Sequence, residues 1–335
     1  MADATGPLPR PALPRLPLRL GLLVLVLLGS CLAFMTVGAV GDWGFLLTFR
    51  GTRLAALMLV GTCLSVATIL FQTITANRIL TPSALGFDSL YVLLLTGLVF
   101  SLGGTGYAQI PSPVLFAANL VAMTALGFVL FGLLMAAGRG DIHRMVLAGI
   151  VLGILVRSVS GFLQRMIDPT SYSQVQAASF ARFTFIEPGL LAMTALVTLP
   201  ALALAWRLRH RLDALSLGAG AATGLGVPPL RLRRQALVLI CVLVAAATAL
   251  AGPFGGGIGP AGFFGLIASA LAHRLTPDWR HAVLLPSAGL IGCIVLVAGQ
   301  TVMERVLHLA TPLPVVIEAL GGGLFLVLLF TGRTR

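Results

Sequence analysis

Long apolar segments separated by short polar stretches make up most of the chain. Apolar residues follow one another within each segment, without the strict alternation that is typical of a half-buried β-strand. A membrane-spanning helix needs about 20 such residues to cross a hydrocarbon layer about 30 Å thick, whereas an open sheet would leave its edge unpaired in lipid. The pattern predicts an all-α bundle with about ten transmembrane helices, near residues 20–40, 54–73, 85–102, 113–137, 145–164, 188–206, 235–252, 260–273, 283–301 and 313–331.

The composition agrees with a polytopic membrane protein. Of the 335 residues, 58% are hydrophobic and only 10% are charged, which is too apolar for a soluble protein of this size. We therefore interpret residues 20–331 as a single transmembrane domain. A Pro- and Arg-rich tail at 1–19 precedes it, and a short tail at 332–335 follows it.

The basic residues predict the orientation of the bundle. All 22 are arginine, and a ten-span topology places sixteen on the side of the two termini, five on the opposite side, and Arg157 inside the fifth span. Because cytoplasmic loops carry the excess of positive charge, both termini are predicted to be cytoplasmic. The net charge of +12 follows from this topology, so it does not indicate a nucleic-acid partner.

The sequence lacks the residues that several energy-coupling and catalytic mechanisms need. Without lysine the chain cannot form a nucleotide-binding P-loop, so it cannot be an ATPase of that type. Its carboxylates lie in loops or near span ends, whereas ion-coupled carriers place ionisable groups inside the membrane. No His-Glu-x-x-His or Gly-x-Ser-x-Gly motif occurs and the four cysteines lack zinc spacing, so neither metal nor cofactor is expected. An ion-coupled carrier and an embedded enzyme are the alternatives to a conduit powered by another protein.

Two motifs connect the chain with a known family. The first surrounds the second apolar segment and consists of Arg50, Arg53, Gln72, Asn77, Pro82 and Gly86. The second, residues 259–267, reads Gly-Pro-Ala-Gly-Phe-Phe-Gly-Leu-Ile. Both resemble the FecCD family, the permease subunits of ABC importers for ferric siderophores, haem and cobalamin. The Phe-Asp-Ser-Leu-Tyr that follows Gly86, and the absence of Pro-His after the second motif, resemble the iron-chelate branch.

A third match lies in the longest predicted cytoplasmic loop, at about 207–234. The resemblance implies that short helices of this loop fit a cleft on an ATPase subunit, through Leu212, Asp213, Leu215, Leu217, Gly218, Leu225 and Gly226. The family commonly has an acidic residue after the first glycine, whereas Ala219 stands there in this chain. A solvated basic loop is the alternative interpretation.

Three arginines on the outer side oppose the general charge asymmetry. In the family, the corresponding residues pair with glutamates of the substrate-binding protein, and the resemblance assigns this docking role to Arg50, Arg53 and Arg305. Charge complementarity would steer the encounter and fix the register of a partner that binds and leaves. The alternative is that these side chains extend to lipid headgroups.

Several residues are candidates to line the translocation path or to act as its hinges. The candidates are polar residues, prolines and glycines near the first two motifs, namely Gln72, Asn77, Pro82, Gly86, Asp88, Ser89, Gly259, Pro260 and Gly265. For the three uncharged polar residues, Gln72, Asn77 and Ser89, the alternative is hydrogen bonding between packed spans. Gly149 and Gly153 indicate a close approach of helices. Arg157 is expected to face the bundle interior or water.

These observations predict a permease subunit of an ABC importer for a ferric siderophore, in the bacterial cytoplasmic membrane. The resemblance implies a second permease, identical or related, two separate ATPase subunits, and an extracytoplasmic siderophore-binding protein. It implies no cofactor. A cobalamin or haem permease is the alternative within the family, and an ion-coupled carrier is the alternative outside it.

Overall fold

The computed structural model describes residues 16–39, 43–138, 142–252, 262–307 and 313–330. Within these ranges the secondary structure is helical and contains no strand, which confirms the predicted all-α fold. A 3₁₀ turn at Ser83–Leu85 and a π-helical turn at Val302–Val306 accompany the α-helices. The α-helices are α1 (Leu16–Thr36), α2 (Trp43–Thr75), α3 (Phe87–Ala108), α4 (Ser112–Gly138), α5 (Ile142–Gln164), α6 (Pro169–Ala178), α7 (Pro188–Arg207), α8 (Arg209–Ser216), α9 (Ala219–Gly224), α10 (Pro229–Ala251), α11 (Phe263–Leu275), α12 (His281–Thr301) and α13 (Leu313–Phe330).

In the described part of the chain, 8 helices are long and apolar enough to cross a membrane, namely α1 to α5, α7, α10 and α12. They coincide with eight of the ten predicted segments. The remaining two segments correspond to the shorter apolar helices α11 and α13. With 13 residues, α11 is about 20 Å long, less than the hydrocarbon layer of about 30 Å. The structure therefore supports eight spans plus shorter apolar helices, and the cytoplasmic orientation of both termini stays a prediction.

The helices divide into an inner and an outer set. The most apolar stretches of α2 and α10 are 67% and 72% buried within the protein, whereas those of α1 and α5 are 17% and 22% buried. The outer helices expose large apolar side chains such as Leu25 and Leu155. In water such a continuous apolar surface would promote association. In a bilayer the lipid tails solvate it, so this burial pattern fits a membrane-embedded bundle.

Glycines allow α2 to pack directly against two neighbouring helices. A Cβ atom on Gly61 would lie only 2.9 Å from the backbone of Gly292 on α12. Similarly, a Cβ atom on Gly265 of α11 would lie 2.2 Å from the Thr68 hydroxyl of α2. Helix backbones approach this closely only where one partner lacks a side chain. As a result, α2 lies at the centre of the bundle between α10, α11 and α12.

The start of α2 differs from the sequence prediction. This helix begins at Trp43, well before residue 54, so Arg50 and Arg53 lie within it and not in a preceding loop. Its 33 residues extend over about 50 Å, more than a bilayer core requires. The helix continues through both arginines because their guanidinium groups find partners inside the protein.

The short helix α6, between α5 and α7, was not predicted. Asp168 caps its first turn by accepting hydrogen bonds from the backbone N–H of Ser171 at 2.9 Å and from the hydroxyl of Thr170. These bonds to the charged form hold the pKa of the Asp168 carboxyl well below its usual range. Pro169 occupies the first helical position, where the missing N–H costs nothing. The order Asp-Pro is a recognisable helix-start signal that the apolar pattern alone does not show.

Candidate functional site

Arg50 closes the C-terminal end of α1. Its side chain is buried, and its Nη1 donates hydrogen bonds to the carbonyl oxygens of Phe34, Met35 and Val37 at 3.1, 2.9 and 3.0 Å. Its Nη2 donates to the carbonyl oxygen of Gly38 at 2.7 Å. The last carbonyls of a helix lack partners within the helix and favour a nearby cation. Arg50 therefore stabilises the end of α1 and its connection to α2.

Arg53, one turn further along α2, joins three parts of the chain. It is 4% exposed, and its Nε donates to the carbonyl oxygen of Phe183 at 2.6 Å. Its Nη2 forms a salt bridge with Glu304, which also accepts a hydrogen bond from Gln300 Nε2 at 2.6 Å. A buried guanidinium needs such partners because an unpaired buried charge is strongly destabilising.

Arg305 is the most open of the three predicted docking arginines. It lies in the π-helical turn Val302–Val306, is half-buried, and packs beside Gly38. Such π-helical turns occur frequently at functional sites. A carboxylate of another protein can reach Arg305 at the surface. At Arg50 and Arg53 it would have to displace hydrogen bonds that already exist within the chain.

The predicted coupling loop contains the short helices α8 and α9. Leu212 and Leu215 of α8 are buried, with 0% and 4% exposed, and hold the helix against the transmembrane bundle. Leu217 and Leu225, on either side of α9, are 70% and 63% exposed. The leucines named from the family resemblance therefore divide into an anchoring pair and an exposed pair.

Gly218 and Gly226 form the turns before and after α9. Their φ angles of 103° and 76° lie in the left-handed region that favours glycine. Between them, α9 consists of alanine, glycine and threonine, so the surface it presents is small and uncharged. A partner would contact this surface mainly through apolar and backbone groups, without the acidic residue that is common at position 219 in the family.

Asp213 of α8 is directed toward the bundle, where it forms a polar cluster that the sequence did not predict. Its Oδ1 accepts hydrogen bonds from both the backbone N–H and the ring Nδ1 of His281, each at 2.7 Å. His281 is 2% exposed, and its Nε2 lies 2.8 Å from Thr73 Oγ1. The cluster connects α8, the first residue of α12, and the end of α2. The sequence features that could have indicated this cluster are a lone acidic residue in a basic loop, Asp213, and a histidine at a span boundary, His281.

Gln72 and Asn77 hold the turn that follows α2. Gln72 is buried, and its Nε2 donates to the carbonyl oxygen of Arg78 at 2.5 Å and to Ser269 Oγ of α11 at 2.9 Å. Asn77 Oδ1 accepts a hydrogen bond from the backbone N–H of Ile79 at 2.9 Å. The bond from Gln72 to Ser269 joins α2 to α11, as in the alternative interpretation of hydrogen bonding between packed spans, whereas the bond of Asn77 is local to the turn.

Pro82 and Gly86 begin and end the 3₁₀ turn between α2 and α3. Gly86 has a φ of 99°, and a Cβ atom on it would lie 2.9 Å from the Cα of Gly153 on α5. A Cβ atom on Gly149, one turn away, would lie 2.4 Å from the side chain of Leu85. The two glycines of α5 therefore allow the close approach that the sequence predicted, and the partner is the turn that follows α2.

Asp88 and Ser89 in the first turn of α3 are also buried. Asp88 accepts a hydrogen bond from Ser83 Oγ at 3.2 Å. Arg157, half-buried on α5, lies beside Gly153 and so is close to the same turn, as expected for an arginine that faces the bundle. Two further candidates for the path, Gly259 and Pro260, lie outside the described residues.

A cavity of about 420 Å³, lined by both polar and apolar side chains, lies between the end of α2 and helices α8, α11 and α12. Gln72, Asn77, Arg78 and His281 contribute to its lining, and the Arg78 guanidinium lies 4.2 Å from the centroid of the Trp279 ring. Among the described residues, no three His, Cys, Asp or Glu side chains are grouped so that they could hold a metal ion.

Known proteins resemble the chain over most of its length. The model of the FecCD transport family matches residues 19–331. The petrobactin import system permease protein YclO of Bacillus subtilis (strain 168) is 34% identical over 299 residues, which are 89% of this chain and 93% of that protein. The petrobactin import system permease protein FatC of Bacillus anthracis is 30% identical over 284 residues, which are 85% of this chain and 78% of that protein.

A solved structure shares the fold. It shows an inward-facing conformation of an ABC transporter described as the metal-chelate type, and it superimposes with a TM-score of 0.75. The match covers 94% of this chain and 99% of that chain, with 22% sequence identity. At this identity the similarity supports the architecture of the bundle and nothing finer.

Proposed function

Because the chain belongs to the FecCD transport family, we propose that it carries a ferric siderophore of the petrobactin type into the cytoplasm. It is the multi-pass permease subunit of an ABC importer in the bacterial cytoplasmic membrane, and ATP hydrolysis takes place on partner subunits. The main support for this cargo is the 34% identity to a petrobactin import permease over 89% of this chain.

In the proposed assembly, two permeases, identical or related, enclose the path, with two ATPase subunits on the cytoplasmic side and a binding protein outside. Leu217 and Leu225 would insert into the ATPase cleft, while Leu212 and Leu215 keep α8 attached to the bundle. Full burial of one leucine stabilises a complex by roughly 1.5–3 kcal/mol. The exposed pair alone can therefore contribute substantially to docking.

The binding protein would dock at the outer end of α2 and α12, with different tasks for the three arginines. Arg305 is open to a carboxylate of the partner, whereas Arg50 and Arg53 hold the surrounding helix ends in place through their intramolecular bonds. The turn from Asn77 to Ser89, which is largely buried from Leu80 onward, would act as a hinge of the path. Its packing against Gly153, and the contact of Gly265 with α2, favour a hinge over a pore lining.

Uptake of radiolabelled cargo in a strain that lacks this permease tests the proposal. Ferric petrobactin, a ferric hydroxamate and haemin, each labelled with radio-iron, and cobalamin labelled with radio-cobalt would be offered separately, and the wild-type chain would be supplied on a plasmid. Loss of ferric petrobactin uptake and its return with the plasmid are expected. If cobalamin or haemin uptake fails while ferric petrobactin uptake continues, the assigned cargo is wrong.

A second arm of this experiment addresses the energy source. A protonophore that collapses the proton gradient at constant cellular ATP should leave uptake unchanged. Depletion of ATP at constant gradient should abolish it. The opposite result would favour the ion-coupled carrier.

A further inference from the structure

We infer that His281 is the positioning residue that transmits movement of the ATPase-facing helix α8 to α2 and α12. The inference rests on the proposed function, since it names the route by which hydrolysis on the partner would reach the permease. His281 is almost fully buried, and its ring bridges Asp213 of α8 and Thr73 of α2, at 2.7 and 2.8 Å.

Asp213 also caps the N-terminus of α12. The backbone N–H of His281 is one of the N–H groups that have no partner within their own helix, and it donates to Asp213 Oδ1 at 2.7 Å. A carboxylate at this end also complements the helix dipole, and hydrogen bonds to a charged acceptor are stronger than neutral ones. A displacement of α8 therefore acts directly on the first turn of α12.

The two helices that receive this displacement are joined along their length. Near their middle, the backbones of Gly61 and Gly292 are in contact, and Thr62 Oγ1 lies 3.2 Å from Cys293 Sγ. Since glycine contacts allow no side chain to separate the two backbones, α2 and α12 are expected to move as one unit. We call these two helices the α2–α12 pair.

At the outer end, the salt bridge between Arg53 and Glu304 joins the same pair again. The π-helical turn that carries Glu304 also carries Arg305, the arginine open to the binding protein. A cytoplasmic movement of α8 would thus reach the outer docking surface through a connected set of polar and packed contacts. Coupling between the ATPase side and the docking surface requires a structural element whose conformational equilibrium both sites can shift.

A reversible disulfide tests whether the α2–α12 pair moves as one unit. Substitution Thr62→Cys places a second thiol beside the native Cys293, so that oxidation locks α2 to α12. In proteoliposomes that contain the permease and its ATPase subunits and are supplied with the binding protein, ferric petrobactin uptake by the locked variant should stay within about twofold of the reduced variant. The double variant T62C/C293A, which cannot form this disulfide, is the control for the oxidant.

Two outcomes of the disulfide experiment would overturn the inference. Loss of uptake on oxidation and its return with a reductant would show that α2 and α12 move against each other during transport. Failure of the disulfide to form in the assembled complex, checked by thiol labelling, would show that the contact between Thr62 and Cys293 is absent there.

Isosteric substitutions of His281 test its positioning role. Asparagine places an amide nitrogen near the position of Nδ1 and keeps the bond to Asp213, whereas glutamine places its amide near Nε2 and loses that bond. The readout is the number of siderophore molecules transported per ATP hydrolysed. His281→Gln should lower this ratio at least fivefold, which lies in the usual range of coupling between sites. His281→Asn should retain most of the wild-type ratio.

The control is His210→Gln: His210 is an exposed residue of the same helix α8 whose ring Nδ1 lies 4.0 Å from Asp213 Oδ2, beyond hydrogen-bond distance, and it takes no part in the bonds between Asp213 and His281. This variant should keep the wild-type ratio. An unchanged ratio in His281→Gln would refute the inference although the wild type still transports ferric petrobactin. Absence of transport by the wild-type complex would instead refute the proposed function, so the two failures are distinguishable.

Discussion

The salt bridge between Arg53 and Glu304 should contribute more to stability than a surface ion pair. Arg53 has a side chain that is 5% exposed, and Glu304 one that is 23% exposed. Glu304→Ala leaves the buried guanidinium with the carbonyl oxygen of Phe183 as its remaining hydrogen-bond acceptor among those described. Breaking a buried pair from one side costs about 3–5 kcal/mol, and the partial exposure of Glu304 favours the lower end, about 3 kcal/mol.

Arg53→Met should cost less, about 1–2 kcal/mol, because Glu304 keeps the hydrogen bond from Gln300 and some access to water. In the double variant neither charge remains, so its loss of stability should be smaller than the sum of the two single losses by about 2 kcal/mol.

The free energy of unfolding would be measured by SDS titration in mixed micelles, followed by circular dichroism. Arg165→Met, at an exposed outer arginine, is the control and should change stability by less than about 0.5 kcal/mol. Additive losses in the double variant would contradict the reasoning.

Three further predictions concern the remaining sites. Leu217→Glu should abolish copurification of the ATPase subunits while the permease still folds, because a charge would enter an apolar contact; copurification at the wild-type level would contradict this. Gly86→Val should lower the folded yield in membranes by more than Gly97→Val, since Gly86 needs a φ of 99° and touches Gly153, whereas the position of a Cβ at Gly97 is open. Arg305→Glu should slow association of the binding protein and reverse the salt dependence of the association rate, measured by stopped flow. Equal association rates in the variant and the wild type would show that Arg305 takes no part in docking.

The apolar segments predicted the long helices well, but they placed the start of α2 too late. A charged residue inside a membrane helix is costly unless it finds partners, so the prediction began the helix only after Arg53. Those partners come from distant parts of the chain, namely the carbonyls at the end of α1, the carbonyl oxygen of Phe183, and Glu304. The sequence alone does not show that they are adjacent.

Glycine spacing predicted close contacts between helices but not the identity of the partners. Gly149 and Gly153 were expected to contact another helix, and the structure shows that they contact the turn ending at Gly86. The contact between Gly61 and Gly292 carries no Gly-x-x-x-Gly signal, because neither residue has another glycine four positions away in its own helix. Partner identity depends on tertiary packing, which local patterns do not contain.

The coupling loop shows how far a motif can assign roles to individual side chains. Leu212 and Leu215, three residues apart, define the buried face of α8, as helical periodicity predicts. Asp213 lies at the border of that face, where a side chain can turn either outward to a partner or inward to the bundle. The inward direction is selected by His281, whose backbone N–H at the start of α12 needs an acceptor. A role assigned to the loop as a whole therefore divides between exposed leucines, which we propose contact the ATPase, and an aspartate that connects α8 to α12.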